Sequence, residues 1–319
     1  MQSKFLHFVM VLALALGLTA CGGGGKDEAQ TETTTDSSTV ESADSSSQEA
    51  PEREPMRLEP GKTPFDFPTV ATKGKEGEYV LCPGYKMWQN KLAAKDPAAE
   101  TYIFYTAEMV KPGEVESEIK FTFDGNQKMP NAMLIPIPKG QTAKVGDVVL
   151  TWWQTGWGMQ RAIVTEASNP AEPTVRYLDL DWDNPAKDSK SGKGIGQTEY
   201  KLKPDSFVGI DAFSPGSTIA AKENGKWNSV QVVSMADGKV LTLGFAGKMK
   251  VYDRKDCFAI PQKINVSPGE KVKAVWVGAY RDATVVKVES KMGLVFVKYE
   301  GMDKEEAVSF GEITKQLPE

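Results

Sequence analysis

The sequence predicts an all-β protein, built as a tandem array of about four small five-stranded barrels. A glycine is followed three residues later by a β-branched residue and eleven residues later by Trp or Tyr. The four copies are Gly77, Val80 and Trp88; Gly146, Val149 and Trp157; Gly216, Ile219 and Trp227; and Gly269, Val272 and Tyr280. The glycines stand 69, 70 and 53 residues apart. A fixed register at this period indicates an array of one structural unit.

The fourth copy shows the short strands of such a unit. We expect strands at 272–276, 282–288, 294–299 and 305–310, with a closing segment at 312–317. The turn after the third strand recurs as Phe123-Asp124-Gly125 and Phe245-Ala246-Gly247, and without a glycine at 180–183. Short strands at this spacing are typical of a small barrel or sandwich, and barrel closure removes exposed sheet edges.

The copies divide the chain into four expected units, at 61–140, 141–212, 213–264 and 265–319. Sixteen residues after each glycine comes a small or β-branched residue, and these are Ala93, Ala162, Val232 and Val285. Unit 1 carries an insertion at 94–115, which is either helical after Asp96-Pro97 or a strand that starts at 101–105. The short joins between units predict that neighbouring barrels pack on each other.

Residues 1–20 have the features of an export signal. Lys4 gives a charged start, and the apolar run of thirteen residues at 5–17 is too short to span a bilayer. Leu18-Thr19-Ala20-Cys21 resembles the lipobox of bacterial lipoproteins, which implies lipidation of Cys21 and cleavage before it. The alternative is an ordinary signal with an incidental cysteine. Acyl chains would attach the protein to a membrane of the cell envelope, and the resemblance favours the outer membrane.

Residues 21–60 form an expected disordered linker. Ten acidic and three basic residues fall between 22 and 60, among Gly, Ser and Thr residues that offer almost nothing to bury. Charge repulsion would extend this segment. It is either a spacer that lifts the array off the membrane or filler without a length requirement.

The folded part has a balanced charge. The chain carries a net charge of −5, yet residues 61–319 contain 34 basic and 33 acidic residues. A nucleic-acid groove needs a clustered basic face. We therefore expect no nucleic-acid partner.

Histidine chemistry is absent from the expected mature chain, because His7, the sole histidine, lies in the signal. This excludes Ser-His triads, Cys-His pairs and histidine-based zinc sites. The acidic alternation at Asp179, Asp181 and Asp183 resembles a calcium loop, but Asn184 and Lys190 stand where such a loop needs Gly and an acid. We expect no metal and no cofactor, and an enzyme would have to use paired carboxylates.

Two cysteines remain besides Cys21. Cys82 stands five residues after its glycine, where the other copies have Thr151, Ala221 and Ala274. This small-residue position shares a strand face with Val80 and is expected in the core. Cys82 and Cys257 are either two packed thiols, which we favour, or a disulfide, which export permits.

The motifs of the fourth copy resemble the Tudor/agenet superfamily. The residues that carry the resemblance are Gly269-Glu270-x-Val272-x-Ala274-x-Trp276, Tyr280-x-x-Ala283-x-Val285 and Val297-x-Tyr299-x-Gly301. It implies small barrels that hold a methylated lysine or arginine in an aromatic cage. By position, Trp276, Tyr280 and Tyr299 match cage aromatics. Copy two offers Trp153, Trp157 and Trp182, copy one Trp88 and Phe123, and copy three Trp227 and Phe245.

A cage works because aromatic faces attract a desolvated cation. The alternative is that the rings brace the barrels, since large aromatics dominate small cores. We predict a membrane-anchored, non-enzymatic binding or scaffold module with a protein or peptide partner, for which a cationic ligand is one option. The runner-up is a purely structural spacer lipoprotein, and an enzyme is third.

Overall fold

The computed structural model describes residues 56–156, 158–179 and 198–319, and these residues form four five-stranded antiparallel units. In each unit the first four strands run as a meander and the fifth pairs with the first, so that the order is 4-3-2-1-5. The all-β prediction is confirmed. The expected signal, Cys21, linker residues 21–55 and the turn at 180–183 lie outside the described residues.

The strands have the following bounds. Unit 1 contains β1 (Tyr79–Pro83), β2 (Phe104–Lys111), β3 (Glu116–Phe121), β4 (Gly125–Pro130) and β5 (Ile135–Ile137). Unit 2 contains β6 (Val148–Trp152), β7 (Met159–Glu166), β8 (Thr174–Tyr177), β9 (Thr198–Glu199) and β10 (Val208–Gly209). Unit 3 contains β11 (Thr218–Glu223), β12 (Lys226–Ala236), β13 (Lys239–Gly244), β14 (Met249–Asp253) and β15 (Cys257–Ala259). Unit 4 contains β16 (Lys271–Trp276), β17 (Ala279–Glu289), β18 (Leu294–Tyr299), β19 (Glu305–Ser309) and β20 (Ile313–Thr314).

The repeated glycine performs the same task in every unit. Its φ is positive, at 73°, 84°, 87° and 88°, a conformation that glycine adopts without steric cost. Its N–H donates to a carbonyl of the second strand, and these acceptors are Met109, Val164, Val232 and Val285, at 2.7–2.8 Å. The residue after each acceptor is a β-bulge. A bulge bends its strand and increases the twist, which helps each short sheet to curl.

The residue sixteen positions after the glycine lies on the second strand in units 2, 3 and 4, and in units 3 and 4 it is also the hydrogen-bond acceptor. In unit 2 the acceptor is Val164, two residues beyond Ala162, so the strand face is kept. In unit 1 it is Met109, because an insertion separates β1 from β2. This insertion starts at 84, earlier than expected, and contains helix α1 (Tyr85–Leu92) and a 3-10 turn at Pro97–Ala99. Trp88 and Ala93 therefore belong to the helix and its C-cap.

Each barrel buries its own residues and also packs on its neighbours, as the short joins predict. Val149 and Tyr177 belong to an interior core of unit 2. Val148, Leu150 and Trp152 point to the other side of β6 and join a core shared with units 1 and 4. All five residues of β6 are thus buried, as in strands covered on both faces.

Backbone and side-chain bonds connect the units. A β-bridge between Asn228 and Ala279 joins the sheets of units 3 and 4, and the N–H of Tyr102 donates to Gly247 O in unit 3 at 2.8 Å. Arg161 of unit 2 is 2% exposed, and its guanidinium reaches Phe310 O of unit 4 at 2.8 Å. Because these bonds cross between units, the four barrels form one compact body.

Cys82 and Cys257 are both free and buried, which matches the alternative of two packed thiols. Burial raises the pKa of the Cys257 thiol to about 11. Among the described residues, no helix has both the length and the apolar character needed to cross a membrane.

Candidate functional site

We use the term mouth for the end of each unit at which the first and third strands finish. Seven residues after the repeated glycine, at the end of the first strand, stand Gly84, Trp153, Glu223 and Trp276. The last residue of the third strand is Phe121, Tyr177, Gly244 and Tyr299 in units 1 to 4. Units 2 and 4 therefore carry a Trp and a Tyr at the same two positions.

Two of the three rings expected in unit 4 come together at its mouth. The rings of Trp276 and Tyr299 lie edge to face with centroids 5.1 Å apart. Tyr299 is only 2% exposed, and its hydroxyl donates to Val275 O. Burial raises the pKa of this hydroxyl, and Glu312 adds to the rise. Tyr299 thus occupies the position of a core brace, with its polar atom bonded to the first strand.

Tyr280 does not join them, and the expected convergence of all three rings is wrong. Tyr280 pairs across the hairpin with Val275, whereas Trp276 pairs with Ala279. Successive side chains of a strand point to opposite faces, so Tyr280 lies on the other face of the sheet. There it faces the junction with units 2 and 3, where burial raises its pKa and Glu312 adds to the rise.

The mouth of unit 2 has the same construction. Trp153 packs partly buried against the interior core, and its indole N–H donates to Thr155 Oγ1 at 3.0 Å. Trp157 and Trp182, the other rings expected here, lie outside the described residues.

Tyr177 is the ring of unit 2 that the sequence did not identify. It is fully buried, and its hydroxyl donates to Trp152 O at 3.1 Å, the same first-strand position that Tyr299 bonds in unit 4. The sequence does contain a spacing that could have identified Tyr177. It follows the second-strand residue Ala162 by fifteen positions, and Tyr299 follows the second-strand residue Ala283 of unit 4 by sixteen.

Unit 1 instead has an open mouth, which we call the aromatic pocket. It is a cavity of about 490 Å³ whose rings come from four elements of unit 1 and from unit 2. These rings are Tyr85 (α1), Tyr105 (β2), Phe121 (β3), Phe123 (the turn after β3) and Trp152 (β6 of unit 2). The sequence identified Phe123 as a candidate, and Trp152 directly precedes the candidate Trp153, but the sequence gave no sign that Phe123 and Trp152 share a cavity.

Gly84 explains why this mouth stays open. It stands where units 2 and 4 have Trp153 and Trp276, so no indole fills the space. A Cβ at Gly84 would lie 3.0 Å from the Tyr105 ring, which shows that Tyr105 covers the glycine and lines the cavity. The inserted helix adds Tyr85 to the lining. A missing side chain and an insertion together build the aromatic pocket.

The pocket is mostly apolar, and its lining carries one carboxylate, Asp124, and one ammonium, Lys86. Asp124 is 21% exposed and lies 3.7 Å from the Lys86 ammonium, which is 85% exposed. An exposed pair of this kind is weak, so Lys86 can move aside. Thr106 Oγ1 is buried and has no hydrogen-bond partner among the described residues. Aromatic faces with a nearby carboxylate suit an apolar or a cationic group.

Comparison with known proteins adds little. No protein-family model matches the chain, and no curated protein matches it. Solved structures with a local likeness include two tandem Agenet domains. The tandem Agenet domain 3-4 of ADCP1 has 18% identity and a TM-score of 0.20 over 32% of this chain and 78% of that one. AGD34 of AGDP1 from Arabidopsis thaliana has 16% identity and a TM-score of 0.21 over 32% and 80%. TM-scores this low carry no functional information about this chain.

Proposed function

We propose that this protein is a non-enzymatic binding module in which the aromatic pocket of unit 1 holds one side chain of a protein or peptide partner. The observation that carries the proposal is the convergence of five aromatic rings around a cavity of about 490 Å³. Pockets of this size, lined by aromatic side chains with a few polar groups, are typical ligand sites. The exposed ring of Phe123, at 82%, supports the proposal because it offers a contact surface at the rim.

The proposed ligand group is a cation that carries little water, such as an alkylated ammonium. Several aromatic faces attract such a group, and Asp124 supplies a negative charge. Choline and 3,3-dimethylbutanol test this preference, because they have the same shape and differ by one positive charge. Choline should bind more tightly to the full chain in a calorimetric titration.

The matched variants are Phe123→Ala and Phe245→Ala. Both phenylalanines lie in the turn that follows the third strand of their unit, and their exposed fractions are 82% and 63%. Only Phe123 borders the aromatic pocket. Phe123→Ala should weaken choline binding by about two- to thirtyfold, since one cation–π contact contributes about 0.5–2 kcal/mol, while Phe245→Ala should leave it unchanged. Equal binding of the two probes, or no difference between the two variants, would reject the proposal.

Membrane anchoring is a second part of the proposal. The sequence Leu18-Thr19-Ala20-Cys21 supports lipidation at Cys21. The lipid would hold the barrels at a membrane of the cell envelope, and we favour the outer membrane. Cys21→Ser should leave unprocessed precursor or release soluble protein. A variant that stays in the detergent phase with the normal mature mass would contradict the lipid anchor.

A structural spacer is the second candidate function. The shared core and the buried Arg161 support it, because both make the array one stiff body. A spacer needs no ligand, so the choline titration separates the two functions.

A further inference from the structure

A second cavity lies where units 2, 3 and 4 meet, and we call it the junction cleft. Its volume is about 390 Å³. The lining residues that matter here are Arg161, Asp179, Ser229, Phe245, Val277 and Glu312. It shares no lining residue with the aromatic pocket.

The junction cleft holds more negative than positive charge. Of the described residues that line it, Arg161 is the one cation, against the two carboxylates of Asp179 and Glu312. The Arg161 guanidinium already has hydrogen-bond partners within the protein. Its Nε donates to Asp179 Oδ1 at 3.0 Å, and its Nη1 donates to Phe310 O at 2.8 Å. Asp179 holds Arg161 most closely, so among the described lining residues the carboxylates outnumber the cations by one.

Glu312 is the carboxylate left with the weaker partner. Its Oε1 lies 3.8 Å from Nη2 of Arg161, beyond hydrogen-bond distance, and its side chain is 33% exposed. Burial raises the pKa of Glu312, Arg161 opposes the rise and Asp179 adds to it. Tyr280 of β17 also lies near both Arg161 and Glu312. A second cation beside Glu312 would favour its ionised form.

The rim of the junction cleft is apolar and exposed. Phe245 from unit 3 is 63% exposed and Val277 from unit 4 is 67% exposed. The two turns touch, because a Cβ at Gly278 would lie 2.7 Å from that of Phe245. An exposed apolar rim above partly exposed carboxylates matches a side chain with an aliphatic stem and a charged tip.

We propose that the junction cleft is a binding site for a lysine side chain of a protein partner, with the ammonium at Glu312 and Asp179 and the stem against Phe245 and Val277. This site is additional to the aromatic pocket. Lysine fits because its ammonium is a compact donor that carries hydrogens for carboxylate oxygens.

The probe is the blocked tripeptide N-acetyl-Leu-Lys-Leu-amide, compared with its norleucine analogue, which keeps the stem and lacks the ammonium. Titration of the full chain, followed by NMR shifts, should show binding of the lysine peptide and at least tenfold weaker binding of the norleucine peptide. Glu312→Gln should weaken lysine-peptide binding by about tenfold or more, because a charge-assisted hydrogen bond becomes a neutral one.

Glu270→Gln is the matched control for the loss of a carboxylate. Glu270 belongs to the same unit and pairs with Lys315 at 3.3 Å, away from the cleft. This variant should leave binding unchanged. Phe245→Ala tests the rim without altering the carboxylates of the cleft, and it should weaken binding of the lysine peptide severalfold while choline binding stays the same.

Three results would overturn the inference. They are equal affinity for the lysine and norleucine peptides, no binding of the lysine peptide, and unchanged binding in both Glu312→Gln and Phe245→Ala. Failure of the aromatic pocket would instead appear as unchanged choline binding in Phe123→Ala, so the two proposals fail separately.

Discussion

The mouths of units 2 and 4 differ from that of unit 1, although all three are built on the same repeat. In units 2 and 4 a Trp and a buried Tyr close the barrel end, and the Tyr hydroxyl donates to a first-strand carbonyl. In unit 1 Gly84 and Phe121 stand at these positions, and a cavity remains. One repeat thus carries a structural brace at the mouth of two units and a cavity, which we propose as a binding site, at the mouth of another.

Unit 3 shows the third outcome at these positions. Glu223 and Gly244 provide no ring, and Glu223 instead pairs with Lys250 and accepts from Tyr252 at 3.2 Å. Trp227 packs on Phe258 rather than at the mouth, with ring centroids 6.4 Å apart. The repeat therefore fixes the backbone, while the mouth positions are free to vary.

Arg161→Met should have the largest effect on stability, because it removes the cation that links the two closed units. Loss of one partner from a buried ion pair costs about 3–5 kcal/mol, and the substitution also removes the donor from the buried hydrogen bond to Phe310 O. Urea unfolding would measure the change. The control is Lys263→Met, since Lys263 pairs with Asp147 at 3.0 Å but is 51% exposed, and such pairs contribute about 0–1 kcal/mol. Equal losses would contradict a buried link.

Tyr299→Ala should destabilise the protein by about 3–5 kcal/mol, the usual cost of removing a buried ring. Tyr299→Phe keeps the ring and loses only the bond to Val275 O, so its cost should be about 0.5–1.5 kcal/mol. Thermal and urea unfolding give both values. If Tyr299→Ala cost less than about 1 kcal/mol, Tyr299 would be a binding wall and not a brace.

A rise in pH should lower the stability of the protein through the buried tyrosines of the two closed mouths. Burial raises the pKa of Tyr177 and Tyr299 above the unfolded value of about 10. The unfolded chain therefore loses these protons first. The stabilisation that the two tyrosines contribute is fully present below about pH 10 and falls above it. Each tyrosine contributes up to about 1.4 kcal/mol per pH unit. The fall between pH 10 and 11 should be smaller in Tyr177→Phe than in the parent, and an identical slope would contradict this assignment.

Phe123→Ala should have the smallest effect on stability. Its ring is 82% exposed, and surface changes usually stay within about 0.5 kcal/mol. Circular dichroism during urea unfolding would show a superimposable transition. A clear shift of the midpoint would mean that Phe123 supports the fold rather than a ligand.

The sequence predicted the architecture well because glycine geometry and strand alternation act locally. Gly269 and Val272 determine their turn and strand without help from distant residues, and β18 lies at the residues expected for it. The sequence placed the start of the insertion in unit 1 too far along the chain. Trp88 matches the repeat spacing by coincidence, although it is a buried residue of the inserted helix.

The site was harder to predict because it depends on which face a ring takes and on which unit lies beside it. Tyr280 matched a cage position in sequence, but hairpin register turned it to the other face. Trp152 reaches the pocket from unit 2, and unit packing of this kind leaves no local signal. The absence of a side chain at Gly84 became meaningful only beside Trp153 and Trp276.

The indole signals of the tryptophans provide the most direct test of an open mouth in unit 1 and closed mouths in units 2 and 4. The chain has seven tryptophans, and Trp→Phe variants assign their indole N–H signals in a nitrogen-15 correlation spectrum. Addition of choline to the full chain should shift the signal of Trp152 and leave those of Trp153 and Trp276 in place. A shift of Trp153 or Trp276 with Trp152 unchanged would contradict the account.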